Sequence, residues 1–262
     1  MAARKLLRRV GRDRAGRFLV EGAQAVGEAL AQAARGDRWR MHELFVGPAA
    51  ADRHPELTAA ARTAGVRVVP VTEAAAASLS DTVTPQGIVA VCDLLDVPVA
   101  AALGARPTLV VVCAGISDPG NAGTVIRVAD AAGADAVLLA GDTVDPHNPK
   151  AVRATTGSLF HLPIARDRDA GAVLAACAAA GLTVLVADAG GELELYRPEA
   201  AAVLAGPVAW IFGGEAHGLP PGVAERADHR VRVPIRGRAE SLNLATAAAI
   251  CVYATVAARS VG

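Results

Sequence analysis

The sequence predicts an α/β protein in which a mostly parallel β-sheet, covered by helices on both faces, is preceded by a smaller α/β unit. Three observations carry this reading. Hydrophobic residues make up 53% of the 262 residues but aromatics only 3%, so the core must be built from Ala, Val and Leu, which suit helices packed on buried strands. Beyond residue 107, short unbroken apolar runs alternate with segments of helical spacing, as expected for strands buried on both faces. Between the two regions, residues 98–107 combine Ala with Pro98, Gly104 and Pro107 and read as a linker. Residues 1–97 and 108–262 are the two expected domains.

Taken in order, Phe18 opens a stretch whose apolar residues Val20, Ala23, Val26, Ala29 and Leu30 follow helical spacing. Strand-like runs follow at Leu44–Val46, Val66–Val71 and Ile88–Cys92, separated by helical stretches at Glu56–Ala64 and Glu73–Leu79. In the second domain, strands are expected at Leu109–Cys113, Ala136–Leu139, Leu182–Ala187, Val208–Phe212 and Val231–Val233. Helices are expected at Gly123–Ala132, Asp169–Ala180 and Leu244–Ala258. In such sheets, ligands bind at the loops beyond the carboxyl ends of the strands.

No stretch is apolar and long enough for a membrane span or an export signal, so a cytoplasmic protein is expected. Cys92, Cys113, Cys177 and Cys251 lie far apart without a Cys-x-x-Cys pair. That argues against a disulfide framework or a zinc site and for buried, reduced thiols. Formal net charge is zero, but it is unevenly spread: residues 1–106 carry 14 Lys/Arg against 11 Asp/Glu, and 107–262 carry 12 against 15. Arg4, Lys5, Arg8, Arg9, Arg12, Arg14 and Arg17 form a cluster interrupted only by Asp13. Such a cluster attracts a phosphate backbone without reading sequence, or is a solvated basic tail.

Three segments that follow strands carry unusual residues. Ser117-Asp118-Pro119-Gly120-Asn121-Ala122-Gly123 leads directly into a helix, whose free N–H groups suit an electron-rich ligand. Arg127 lies about one turn further on. Gly213-Gly214-Glu215-Ala216-His217-Gly218 places a carboxylate among glycines that let backbone approach a ligand closely, and it lacks the Gly-Lys-Ser/Thr of a phosphate-binding loop. Val233-Pro234-Ile235-Arg236-Gly237-Arg238-Ala239-Glu240-Ser241-Leu242-Asn243-Leu244 again runs from strand to helix, and Ser241 or Asn243 can cap that helix.

In this order and register, the three segments resemble the signature motifs of the SpoU/TrmH family of the SPOUT superfamily, over roughly Leu109–Ala258. Asp118–Ala131, Gly213–Gly218 and Pro234–Asn243 each match one motif. Asp145–Gly157 also resembles the family, although Thr156 stands where Ser is common. Arg17–Gly22 and Thr84–Ala90 carry a weaker resemblance to the substrate-binding domain, similar to ribosomal protein L30e, found in many relatives.

The resemblance implies a trefoil-knotted catalytic domain and S-adenosylmethionine as cofactor. It implies a homodimer whose site draws on both subunits, and the transfer of a methyl group to a ribose 2′-hydroxyl of structured RNA. Ribosomal RNA, most simply 23S, is favoured over transfer RNA. Arg127 is the implied central catalytic residue, with Asn121, Glu215, Ser241 and Asn243 arranging the site. Cofactor contacts are implied at Val186, Ala187, Asp188, Gly213, Gly214, Gly218, Val233, Ile235, Ser241, Leu242 and Leu244. RNA contacts are expected at Arg4, Lys5, Arg8, Arg9, Arg12, Arg17, Lys150 and Arg153. Arginine is a poor literal base because its pKa exceeds about 12, so positioning and alkoxide stabilisation are its expected roles.

Three other readings fare worse. A Rossmann enzyme requires Gly-x-Gly-x-x-Gly after its first strand, and Gly115, Gly120 and Gly123 have the wrong spacing. A catalytically silent RNA-binding protein would be expected to lack Arg127, Glu215 or Asn243, and all are present. A metal centre on His147, His161, His217 and His229 lacks ligand spacing, and these read as surface or substrate-loop histidines. No metal is expected.

Overall fold

In the computed structural model, residues 2–35, 39–214, 218–219 and 222–260 are described. The elements run α1 (Arg9–Ala15), β1 (Arg17–Glu21), α2 (Ala23–Ala34), β2 (Met41–Val46), α3 (Pro48–Arg53), α4 (Pro55–Thr63), β3 (Arg67–Pro70), α5 (Glu73–Ala77) and β4 (Ile88–Asp93). They continue with α6 (Val99–Leu103), β5 (Leu109–Ala114), α7 (Pro119–Ala131), β6 (Ala136–Ala140), α8 (Pro149–Thr155), β7 (Ile164–Asp167), α9 (Ala170–Ala179) and β8 (Thr183–Ala187). The chain closes with β9 (Leu193–Glu194), α10 (Pro198–Leu204), β10 (Val208–Gly213), β11 (His229–Arg232) and α11 (Leu244–Ser260).

Two compact units result: one holds the chain up to Leu95 together with Asp145–His161, the other holds Asp96–Val144 and the chain from Leu162 onward. The first unit is a four-stranded sheet in the order β1-β4-β2-β3. β1 and β2 pair antiparallel with β4, and β3 pairs parallel with β2. Val20, expected on a helix, lies in β1 with Phe18 and Leu19, because pairing with Ala90, Cys92 and Val91 overrides its helical spacing.

The segment Asp145–His161 lies inside the expected second domain yet belongs to this unit, held by a buried polar cluster. Arg12 is 2% exposed and donates through Nε to Asp145 Oδ2 at 2.8 Å and through a terminal nitrogen to the Leu6 carbonyl at 2.9 Å. The His147 ring accepts the Leu95 N–H on Nε2 at 3.1 Å, and its Nδ1 lies 3.4 Å from Asp145 Oδ1. Phe18 meets that imidazole edge-on at 4.6 Å. Burial alone raises the pKa of Asp145, but hydrogen bonds from His147 and the charge of Arg12 more than offset it. The carboxyl is therefore held well below the usual carboxylate range. His147 is thus a core residue and not a surface histidine. Farther along, Gly157 adopts φ +103°, and an added Cβ would lie 2.5 Å from Glu28 Cγ, a close approach that requires glycine.

The second unit is a seven-stranded, all-parallel sheet in the order β7-β6-β5-β10-β8-β11-β9. Every residue of β5 and β6 is buried, as expected for central strands covered on both faces. Val110, Val112, Leu138, Val184, Val186 and Ile211 form the core of one face. On β10, the fully buried Trp210 donates its indole N–H to Thr255 Oγ1 of α11 at 2.8 Å, so the largest core side chain leaves no polar atom unsatisfied.

The expected linker is a correction. Residues 99–103 form α6, and Ala102 and Leu103 are buried in the core of the second unit. Pro98 and Gly104 are the caps of that helix, where proline at the start and glycine at the end are favoured. The four cysteines are buried, and burial pushes Cys113 and Cys251 up to about 12.

Candidate ligand cavity and basic segment

The candidate site lies at the carboxyl ends of β5, β8, β10 and β11, where the loops that follow these strands in the second unit meet. Helix α7 begins at Asp118, whose side chain accepts the Asn121 N–H at 2.8 Å, with Pro119 in the first turn. Helix α11 begins at Asn243, whose Oδ1 accepts the N–H groups of Ala245 and Thr246 at 3.0 and 3.2 Å. The other side of the same amide donates to Asn121 Oδ1 at 3.2 Å. Asn243 is therefore both a helix cap and a tie between two loops that are 122 residues apart.

Beside this tie is a cavity of about 550 Å³. Of the expected cofactor residues, Ala187, Asp188, Gly213, Gly214, Gly218, Val233, Ile235, Ser241, Leu242 and Leu244 line it. Val186 is fully buried and is not among the lining residues. Ala189, Phe212, Leu219, Ala224, Val231, Glu240 and Ala247 also line it. Phe212 and Leu219 adjoin one of the three segments and Glu240 lies within another, and for these adjacency is the signal that could have found them. Gly213 and Gly214 are required: a Cβ on Gly213 would lie 2.7 Å from the Gly218 carbonyl carbon, and one on Gly214 would fall on the Gly115 carbonyl oxygen. Gly218 takes φ +64° and bonds back to the Gly214 carbonyl at 2.9 Å, closing the loop. Asp188 accepts the Gly190 N–H at 2.8 Å and lies 3.8 Å from Arg230.

Of the expected catalytic residues, Asn121 and Asn243 meet and Ser241 lines the cavity. Arg127 is exposed on α7 and is not among the lining residues. Glu215 lies outside the described residues, as does His217. Among the described residues no cluster of metal-ligating side chains occurs, and no helix is long and apolar enough to cross a membrane.

In the first unit, the basic N-terminal segment is helical: Ala2–Leu7 form a 3₁₀ helix and Arg9–Ala15 form α1. Arg4, Lys5, Arg8, Arg9 and Arg17 are exposed, as is Lys150. Arg12 is corrected, because its guanidinium is enclosed and pairs with Asp145, so it cannot reach a solvent phosphate. Arg153 is three-quarters buried and pairs with Glu21 at 3.1 Å and Asp81 at 2.6 Å. Its charge is already met within the fold.

Comparison with known proteins gives a consistent family. The sequence model of the SpoU rRNA Methylase family matches residues 108–253, and that of the MRM3-like substrate binding domain matches residues 1–90. The 23S rRNA (guanosine(2553)-2′-O)-methyltransferase RlmP of Bacillus subtilis is 38% identical over 72% of this chain and 72% of its own. The 23S rRNA (guanosine-2′-O-)-methyltransferase RlmB of Ralstonia nicotianae is 30% identical over 87% of this chain and 92% of its own. The structure of the SpoU methyltransferase AviRb from Streptomyces viridochromogenes, in complex with the cofactor AdoMet, superposes with a TM-score of 0.84 and 29% identity. It covers 100% of this chain and 97% of that one.

Proposed function

From the premise that the chain belongs to the SpoU rRNA methylase family, we propose that it transfers a methyl group from S-adenosylmethionine to a ribose 2′-hydroxyl of 23S ribosomal RNA. The observation that carries this is the convergence of the loops after β8, β10 and β11 on one cavity, tied to the start of α7 by the Asn121–Asn243 bond. The cavity suits the cofactor. Its volume falls within the roughly 300–1,000 Å³ of small-molecule sites. Val233, Ile235, Leu219 and Leu242 offer an apolar surface for the adenine, and the glycines bring backbone within reach of polar groups. Asp188 and Glu240 supply carboxylates for a cationic ligand.

When bound, S-adenosylmethionine supplies a methyl group already activated by the sulfonium charge. The protein's task is to hold a weakly nucleophilic hydroxyl in line and assist loss of its proton. Asn243 and Asn121 fix the loop geometry, Ser241 presents a hydroxyl at the cavity wall, and Glu215 belongs to the same motif set. Arg127 holds the ribose-phosphate and stabilises the developing alkoxide. Its exposure and its absence from the lining support a homodimer in which the site is completed across two copies. A trefoil-knotted path through the loops after β10 and β11 and a cytoplasmic location belong to the same reading. Exposed Arg4, Lys5, Arg8, Arg9, Arg17 and Lys150 support RNA contact by the first unit, residues 1–97 being the substrate-binding domain.

The test is transfer of labelled methyl to 23S rRNA, with the 2′-O-methyl position mapped. Arg127→Ala should abolish transfer while calorimetry shows retained S-adenosylmethionine affinity. Wild-type turnover in that variant would refute the assignment.

A further inference from the structure

After β9, the exposed Tyr196 is followed directly by Arg197. Tyr196 is 62% exposed in a chain with only eight Phe, Trp and Tyr residues. It follows β9, which pairs in parallel with β11 through Leu193↔Val231 and Glu194↔Arg232. Both strands therefore deliver their next residues to the same edge of the sheet: Tyr196 and Arg197 from one, Ile235 and Arg236 from the other. Ile235 lines the cavity and is itself 37% exposed.

Glu194 fixes this lip. It is largely buried and faces three guanidiniums, with Arg232 at 3.0 Å, Arg197 at 3.5 Å and Arg236 at 3.5 Å. One carboxylate shared by three guanidiniums holds these arginines in place without giving any of them an exclusive partner. Arg197 and Arg236 are 65% and 81% exposed and so remain accessible to a ligand.

An exposed ring at the same sheet edge as positioned, exposed arginines is the chemistry that binds single-stranded nucleic acid, where the ring stacks a base and the guanidiniums meet phosphates. We propose that Tyr196, with Arg197 and Arg236, forms a stacking platform for an unpaired base of the substrate RNA next to the methyl-donor cavity. Resting on the function proposed above, it assigns the substrate's reactive region a single-stranded conformation. Glu194 is the positioning residue that sets the arginines.

Tyr196→Ala should raise KM for a 23S rRNA transcript about ten-fold, the loss of one base–aromatic stack. kcat and calorimetric S-adenosylmethionine affinity should stay unchanged, as for an interaction made equally in ground and transition states. Tyr196→Phe should restore the wild-type KM, since the ring and not the hydroxyl stacks. Tyr196→Trp should show fluorescence quenching by a short oligouridylate. Arg197→Gln and Arg236→Gln should each lower the salt slope of oligouridylate binding by about 0.7.

An unchanged KM in Tyr196→Ala, or no quenching in Tyr196→Trp, overturns the platform. So does a change in oligomeric mass by light scattering in Tyr196→Ala, which would assign the ring to a protein contact. If the wild-type protein fails to methylate while the Trp variant is still quenched and the salt slopes still fall, the platform stands and the methyltransferase reading falls.

Discussion

Replacing Arg12 by Met separates a structural arginine from the exposed basic cluster in which it sits in sequence. The guanidinium is 2% exposed and pairs with an Asp145 carboxylate that is 4% exposed, at 2.7–2.8 Å. Methionine fills similar volume but leaves the carboxylate buried beside His147 alone. Removing one partner of a buried pair costs about 3–5 kcal/mol, or roughly two to three and a half decades in an opening equilibrium at about 1.4 kcal/mol per decade. Amide exchange of α1 and of 145–161 should accelerate by that factor, and exposed Arg9→Gln should leave it unchanged. Arg12→Met combined with Asp145→Leu should recover much of the loss, because no uncompensated charge remains. The sign with pH is fixed by the depressed Asp145 carboxyl: its stabilisation is present above the unfolded value near 4 and fades as pH falls toward the lower folded value. Exchange rates in Arg12→Met within a factor of three of wild type would refute the reasoning.

Asn243→Ala removes the cap of α11 and the bond to Asn121 together, and should lower stability by about 1 kcal/mol with a larger loss of methyl transfer. Asn243→Asp keeps the capping oxygen and should recover the stability measured by urea unfolding but not the turnover. Gly214→Ala puts a methyl on the Gly115 carbonyl oxygen, so calorimetry should find S-adenosylmethionine affinity reduced at least ten-fold, with overpacking of about 1–3 kcal/mol. Charge-neutral glutamines at Arg4, Lys5, Arg8 and Arg9 should flatten the salt dependence of RNA binding; a filter assay showing an unchanged slope would return those residues to a solvated surface.

The parts legible in sequence were those whose physics is local. Leu109–Cys113, Ala136–Leu139 and Val208–Phe212 read as buried strands because both faces of those strands are covered. The cavity was legible because glycines at 213, 214 and 218 and an Asn cap at 243 announce close backbone approach and a helix start. β1 was not legible, since Val20, Ala23 and Val26 satisfy a helical period and only pairing with β4 decides otherwise. β9 has only two residues, and β7 reads Ile-Ala-Arg-Asp, with neither an apolar run nor an alternation to mark a strand. Pro98 and Gly104 are chain breakers in a linker and caps around a helix, and only burial of Ala102 and Leu103 separates the two. Arg12 looks the same in sequence as Arg9, because charge composition carries no information about enclosure.

The excursion of Asp145–His161 into the first unit has a consequence for biosynthesis. The last strand of that unit's sheet ends at Asp93, but the carboxylate that meets Arg12 and the rings that meet Phe18 emerge roughly 50–70 residues later. At about 5–20 residues per second, that delay is some 3–14 s. For that interval the nascent N-terminal half carries an uncovered aromatic and an uncompensated cation. Its completion is therefore timed by translation of β5, α7 and β6, and the two units must mature in an interleaved order.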